Sequence, residues 1–307
     1  MIPAIAFVFP GQGAQRVGMG RDLYETTSAA RAVFDEADAV LGFPLSRLCF
    51  EGPKEDLDAT ANTQPALLAA SIAVLRALAP SVEPLFCAGH SLGEYTALVA
   101  AGSLAFADAV RLVRRRGELM AACQPGGMAA VLGLDVETLE AVCREATEEC
   151  GAPVVCANMN APGQIVLSGD QAALEAASRL ARERGARRVV PLAVTIAGHS
   201  PLMEPAAAEL AEALSRIEIR PARVPVVSNV TARPVTQPDE IRQALVRHLT
   251  SPLRWVESVE YMRAQGVERF VELGPGNVLA GLIRRIDRAA EVVSVGDVKA
   301  LANWRGV

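Results

Sequence analysis

The chain has 307 residues, 51% of them apolar, with a formal charge of −5 and an isoelectric point near 5.4. That length supports a full core, as one large domain or a large domain carrying an insert, and the acidic balance gives no electrostatic footprint for nucleic acid. Six cysteines without a C-x-x-C pair and only three histidines suggest neither a zinc site nor a disulfide framework, so a reducing, cytoplasmic setting is expected.

The first apolar run, Ile2 to Phe9, lacks a charged leading region and a small-residue cleavage site, and so reads as a strand and not as a signal peptide. Within it, Ile5 to Phe9 has the form of a buried strand entering a tight turn at Pro10-Gly11-Gln12-Gly13. An amphipathic helical pattern follows. Pro65 to Leu78 predicts a helix with Thr63 as its N-cap, ending before Pro80. That stretch is broken by Arg76 and too short to cross a bilayer, so no membrane association is expected. Leu85 to Ala88 predicts a short buried strand, which Gly89-His90-Ser91-Leu92-Gly93 turns into a helix over Glu94 to Ala101. A second helix is expected from Phe106 to about Ala122.

From Gly126 the pattern is strand (Met128 to Leu134), helix (Val136 to Cys150), strand (Val154 to Asn158), strand (Gln164 to Ser168), helix (Gln171 to Arg184) and strand (Arg188 to Thr195). This βαββαβ order is the ferredoxin-like plan. It predicts a small subdomain, residues 126–197, inserted into a large α/β body of residues 1–125 and 198–307, with a parallel, α/β-hydrolase-like sheet. The body resumes with a helix from Pro201, a strand near Val224 to Ser228, a helix near Val256 to Ala264 and a strand over Arg269 to Leu273. Gly274-Pro275-Gly276 then turns the chain into a helix over Val278 to Ile286.

Gly89-His90-Ser91-Leu92-Gly93 matches G-x-S-x-G between a strand and a helix, the context of a nucleophile elbow. So sharp a turn needs small neighbours on both sides of Ser91, and it places the amide of Leu92 at a helix N-terminus, where an oxyanion is favoured. A serine hydroxyl needs a base, and histidine is the usual supplier. His90 shares the turn and should point away from the hydroxyl. His248 lies on a polar helical stretch, Arg242 to Leu249, and is expected at the surface. His199 follows a strand end, with Ser200 as N-cap and Pro201 at the first position of a helix. Strand-to-helix loops on one edge of an α/β sheet collect active-site groups, so elimination selects His199.

Arg114, Arg115 and Arg116 form a charge run, usually a solvated helix face. Arg116 differs from its neighbours: Leu112, Val113, Leu119 and Met120, one turn to either side, are all apolar, so it should point inward. An inward guanidinium with no acid on its helix face calls for an external anion, and a substrate carboxylate suits its bidentate geometry.

With these residues in place, the chain resembles the malonyl-CoA:acyl carrier protein transacylase family over nearly its whole length. The matching segments are Phe9 to Gln15, Gly89 to Tyr95, Arg116 to Met120, Asn160 to Gln164, His199 to Met203 and Glu272 to Gly276. The resemblance implies Ser91 as nucleophile, His199 as base, Arg116 as clamp for the malonyl carboxylate and the amides of Gln12 and Leu92 as oxyanion hole. It adds Asn160 and Gly198 to the substrate pocket, and maps the main-chain carbonyl that orients the histidine onto Arg254. Relatives commonly carry phenylalanine where Gly198 stands, and the missing ring should widen the acyl pocket towards branched units.

The implied reaction moves malonyl from coenzyme A to the phosphopantetheine thiol of an acyl carrier protein, for fatty acid or polyketide synthesis. No cofactor or metal is needed, and a monomer is expected. An acidic carrier calls for a local positive surface, for which Arg182, Arg184, Arg187 and Arg188 are candidates. An α/β serine hydrolase and a non-catalytic scaffold are the competing classes. The hydrolase would usually show an acid and then a late histidine, with a glycine-rich oxyanion loop, and neither is found.

Overall fold

The computed structural model describes residues 4–79 and 83–304. It begins with β1 (Ile5–Phe9), α1 (Arg21–Thr26), α2 (Ser28–Leu41), α3 (Leu45–Glu51), α4 (Lys54–Asp58), α5 (Thr60–Leu78), β2 (Phe86–Gly89), α6 (Leu92–Ala100) and α7 (Phe106–Ala122). A second group follows: β3 (Gly127–Leu132), α8 (Val136–Cys150), β4 (Val154–Ala161), β5 (Gln164–Gly169), α9 (Gln171–Glu183) and β6 (Arg188–Pro191). The chain closes with α10 (Glu204–Ser215), β7 (Val226–Val227), β8 (Pro234–Val235), α11 (Pro238–Arg247), α12 (Trp255–Ala264), β9 (Arg269–Leu273), α13 (Val278–Ile286), β10 (Glu291–Val295) and α14 (Val298–Asn303).

The large sheet has the order β10-β9-β1-β2-β7-β8, parallel throughout except for β8, which pairs antiparallel with β7. Its central strand, β1, is buried on both faces, as a continuous apolar run predicts. Ile5, Phe7 and Phe9 pack into one core with α2, α5 and α7, while Ala6 and Val8 pack into the other with α12 and α13. The carboxyl ends of neighbouring β1 and β2 therefore lie side by side, with Phe9 opposite Gly89.

The second sheet has the order β4-β5-β3-β6 and is antiparallel at every pairing, which is the ferredoxin-like arrangement. Asp135 and Asp170 cap α8 and α9 through their carboxylates, and the apolar faces of both helices cover one side of the sheet. The last strand is shorter than its sequence suggests: after Leu192 bonds Met128 (2.9 Å), Val194 turns back onto Leu192 (2.8 Å). β4 joins the large body, where Leu253 donates to Ala157 (2.8 Å) and Met159 donates to Leu253 (2.9 Å). The carboxyl end of β4 thereby reaches the active-site edge of the large sheet.

One helix boundary differs from expectation. α5 starts at Thr60, with Ala59 as N-cap, and Pro65 lies inside it. A proline cannot donate to the carbonyl four residues back. That carbonyl, Ala61 O, instead accepts from the Arg114 guanidinium (3.3 Å), so the helix continues through the proline.

Candidate active site

The glycines of the elbow are sterically required. A Cβ on Gly89 would lie 1.9 Å from the Gly93 carbonyl carbon, and one on Gly93 would lie 2.1 Å from Phe9 O. Ser91 is held at φ 50°, ψ −110°, a conformation L-residues rarely adopt. His199 is also in the left-handed region, at φ 60°. Both strained residues meet at a hydrogen bond: Ser91 Oγ and His199 Nε2 are 2.8 Å apart.

The tautomer follows from the other side of the ring. His199 Nδ1 lies 3.0 Å from His248 O and 3.2 Å from Ser251 O, both acceptors, so Nδ1 carries the hydrogen and Nε2 presents its lone pair to the serine. Burial, and after it the neighbouring His248 and Arg116, hold His199 well below the usual histidine pKa. The ring is thus neutral and able to accept a proton.

Two expectations are corrected here. The orienting carbonyl belongs to His248 and Ser251, not to Arg254. Arg254 O accepts from Ser258 at the start of α12, and its side chain pairs with Glu257 in partial exposure. His248 is fully buried, because its polar helical stretch ends against the back of the elbow, where Tyr95 and His199 pack edge-on to the ring.

Arg116 is 1% exposed. Its Nη2 donates to Ser91 Oγ (3.1 Å), its Nη1 to Gln64 Oε1 (2.7 Å), and Nε has no partner. Among the described residues no carboxylate lies within salt-bridge distance. The expected inward turn is therefore observed, while Arg115 pairs with Glu209 and Arg114 with Glu118. Gln64 Nε2 donates to Thr60 Oγ1 (3.1 Å), which donates to Gln12 Oε1 (2.9 Å), so α5 links the buried guanidinium to the loop after β1.

That loop abuts the elbow: a Cβ on Gly11 would lie 2.3 Å from His90 O. The amides of Gln12 and Leu92 make no hydrogen bond among the described residues. Leu92 directly follows Ser91 and Gln12 follows the glycine that abuts His90, so two unpaired donors stand beside the elbow, the kind of group that stabilising an oxyanion requires.

Asn160 does not face the hydroxyl. Its Oδ1 is bonded to His90 Nε2 (2.8 Å), tying the second residue of the elbow to β4 and turning His90 away from the serine, as expected for that ring. Gly198 is buried, and a Cβ there would meet only Met120 Cε, at 3.5 Å. Met120 Sδ in turn touches Gln64 Nε2 (3.5 Å), which places Gly198 beside the guanidinium pocket.

Sequence reasoning missed the support behind the nucleophile. Asn229 Oδ1 accepts from Ser91 N (2.8 Å), its Nδ2 donates to Gly89 O (2.7 Å), and its own N–H donates to Glu94 Oε2 (2.8 Å). Buried Glu94 also meets His248 Nε2 at 3.3 Å. Glu94 is the one charged residue of its helix and sits in the first turn, a signal that could have been read; Asn229, 138 residues from Ser91, gave none.

The four arginines expected to form one carrier-facing surface do not. Arg184 pairs with Glu145 and Arg182 folds back onto Ser178 O, while Arg187 and Arg188 line a separate hollow with Arg284, Arg285 and Arg288. No helix among the described residues is long and apolar enough to cross a membrane.

Comparison with known proteins matches residues 6–301 to the acyl transferase domain family. The chain is 50% identical over 301 residues to a malonyl CoA-acyl carrier protein transacylase of Bacillus subtilis, covering 97% of this chain and 95% of that one. It is 46% identical over 302 residues to the transacylase of the same name from Escherichia coli, covering 97% of each. Among solved structures, an acyl carrier protein S-malonyltransferase from Vibrio cholerae superposes with a TM-score of 0.94 at 46% identity, over 97% of this chain and 99% of that one. A malonyl-transacylase solved in complex with its type II polyketide synthase acyl-carrier protein superposes with a TM-score of 0.94 at 43% identity, over 98% of each chain.

Proposed function

The chain belongs to the malonyl-CoA:acyl carrier protein transacylase family, and from that premise we propose that it transfers malonyl from coenzyme A to a carrier protein through an ester on Ser91. Ser91 Oγ attacks the thioester carbonyl while His199 Nε2 takes its proton. The amides of Gln12 and Leu92 hold the oxyanion. The intermediate collapses with cleavage of the carbon–sulfur bond, and His199 returns the proton to the departing thiolate. In the second half the carrier's phosphopantetheine thiol gives its proton to His199 and attacks the ester. Ser91 Oγ leaves and regains the proton.

The observation that carries this reading is that one hydroxyl meets both a neutral imidazole (2.8 Å) and a buried guanidinium lacking an acid partner (3.1 Å). On a malonyl ester the free carboxylate stands only a carbonyl carbon and a methylene beyond Oγ, within reach of Arg116. The reading takes the enzyme as a cytoplasmic monomer that delivers to fatty acid or polyketide synthesis, with coenzyme A thioester as substrate and no resident cofactor. Intact-protein mass spectrometry after incubation with malonyl-CoA tests it. One malonyl unit should appear on the wild type, be absent from Ser91→Ala, and leave on addition of carrier bearing phosphopantetheine. Rapid, complete release of free malonate without carrier would instead identify a hydrolase.

A further inference from the structure

The hydroxyl and the imidazole that meet at 2.8 Å come from residues 108 positions apart. Each has its own support: Asn229 holds the elbow on the serine side, and the carbonyls of His248 and Ser251 hold the ring on the histidine side. Both supports converge on one atom. Glu94 Oε2 accepts from Asn229 N–H (2.8 Å) and lies 3.3 Å from His248 Nε2, on a side chain that is 1% exposed. Glu94 is also tied to the nucleophile directly, since it sits in the first turn of α6 and its N–H donates to Ser91 O (3.0 Å). A helix N-terminus favours a carboxylate there.

His248 Nε2 faces two acceptors, Glu94 Oε2 and Asn229 Oδ1, both at 3.3 Å, so it carries the ring hydrogen. His248 Nδ1 is buried and has no partner among the described residues, so the polar restraint on the ring comes from its Nε2 side. The ring and the carbonyl that receives His199 Nδ1–H belong to one residue, at the end of α11, and an anchored ring therefore steadies that carbonyl. On the other side, Asn229 cannot turn without losing Ser91 N or Gly89 O, and its own carbonyl accepts from Arg254 N (2.9 Å), which ties it to the segment after α11. Proton transfer needs this geometry held closely, because a displacement of about 1 Å costs about 100-fold in rate.

We propose that Glu94 is a positioning residue for the transfer: one buried oxygen sets the meeting of Ser91 with His199 by holding Asn229 on the serine side and His248 on the histidine side. The arrangement needs from position 94 an oxygen that accepts two hydrogen bonds, which an amide supplies as well as a carboxylate does. Glu94→Gln keeps that oxygen, and Glu94→Met removes it from a side chain of similar length. In steady-state transfer from malonyl-CoA, with rates taken per folded molecule, Glu94→Met should lose about 100-fold in kcat with KM within about twofold of wild type, and Glu94→Gln should stay within about threefold in both. His248→Leu should lose about tenfold in kcat, and His248→Gln, whose amide N–H reaches the place of Nε2–H, should recover most of it. A merely structural role would lower the melting point or the folded fraction and leave the rate per folded molecule unchanged. The proposal rests on the transfer reading above, and labelling of Ser91 by a fluorophosphonate separates the two, because it needs the same serine and histidine but no coenzyme A. Ordinary labelling of a wild type that forms no malonyl ester would sink the transfer reading alone, and the labelling rates of the four variants, expected in the same order, would then decide the role of Glu94. A wild-type rate in Glu94→Met, or a Glu94→Gln variant as slow as Glu94→Met, would overturn the proposal. Should Glu94→Met fail to fold, a His248→Leu variant as fast as wild type would overturn it in the same way.

Discussion

Replacing Arg116 by methionine keeps a long unbranched side chain on α7 but removes the guanidinium. In the free enzyme that group is 1% exposed, bonded to Gln64 and Ser91 Oγ, and without an acid partner. Burial already pulls its pKa below the usual arginine value, so the site bears a cost in the absence of substrate. A malonyl carboxylate relieves that cost through a charge-assisted fork whose two hydrogen bonds contribute about 1.5–3 kcal/mol each. Allowing for water that partly replaces the lost contacts, Arg116→Met should forfeit about 3–4 kcal/mol of transition-state stabilisation, a 100- to 1,000-fold fall in kcat/KM for malonyl-CoA. Acetyl-CoA has no carboxylate and should lose little. The assay is steady-state transfer from both thioesters, with thermal melting as control; melting should not suffer, because a well-packed apolar chain replaces an unpaired buried charge. An unchanged malonyl-to-acetyl ratio in a folded variant would refute the clamp.

The neutral state of His199 sets a pH dependence. Because burial holds its folded pKa well below 6.5, kcat/KM should stay level as pH falls through 6.5 and decline only further into acid; an apparent pKa at or above 6.5 would contradict the assignment. The unfolded chain takes up that proton near 6.5 and the folded one only at lower pH, so the contribution to stability is present above 6.5 and is lost as pH falls through the folded pKa. Denaturant midpoints measured across that window should drop on acidification. Asn229→Ala orphans two buried backbone groups, at Ser91 and Gly89, and should cost about 2–5 kcal/mol in denaturant unfolding; a loss under about 1 kcal/mol would show that the elbow is held by other means. Gly198→Phe should be accommodated, since its Cβ meets only Met120 Cε, and should raise discrimination against methylmalonyl-CoA in competition assays. Equal use of the two thioesters by both forms would remove position 198 from the acyl pocket.

Much of this site was legible because its chemistry is written in local patterns. The elbow combines a buried run, two glycines and a helix start, each with its own steric reason, and Arg116 betrayed itself by apolar neighbours one turn away on both sides. His199 was reachable by elimination because only two rivals existed. What escaped is what depends on partners distant in the chain. His248 looked solvated because its stretch is polar, yet the fold buries it against Tyr95 and brings its carbonyl to His199. Arg254 is only six residues away, but a bend between α11 and α12 separates the two carbonyls. Pro65 looked like a helix start because nothing nearby revealed that Arg114, 49 positions later, would satisfy the carbonyl it releases.

Gln12 and Leu92, the proposed oxyanion donors, follow two adjacent strands whose register pairs Phe9 with Gly89. The turns that carry them therefore start from strands about 4.8 Å apart, an arrangement of the sheet that is already set before any thioester arrives. Moving β1 by a single step would turn every core side chain of that strand to the opposite face. A chain that could not seat Phe7 and Phe9 correctly would thus also misplace the turn after β1 against the elbow, and hydrophobic sorting in the interior acts as the gauge that aligns the two turns.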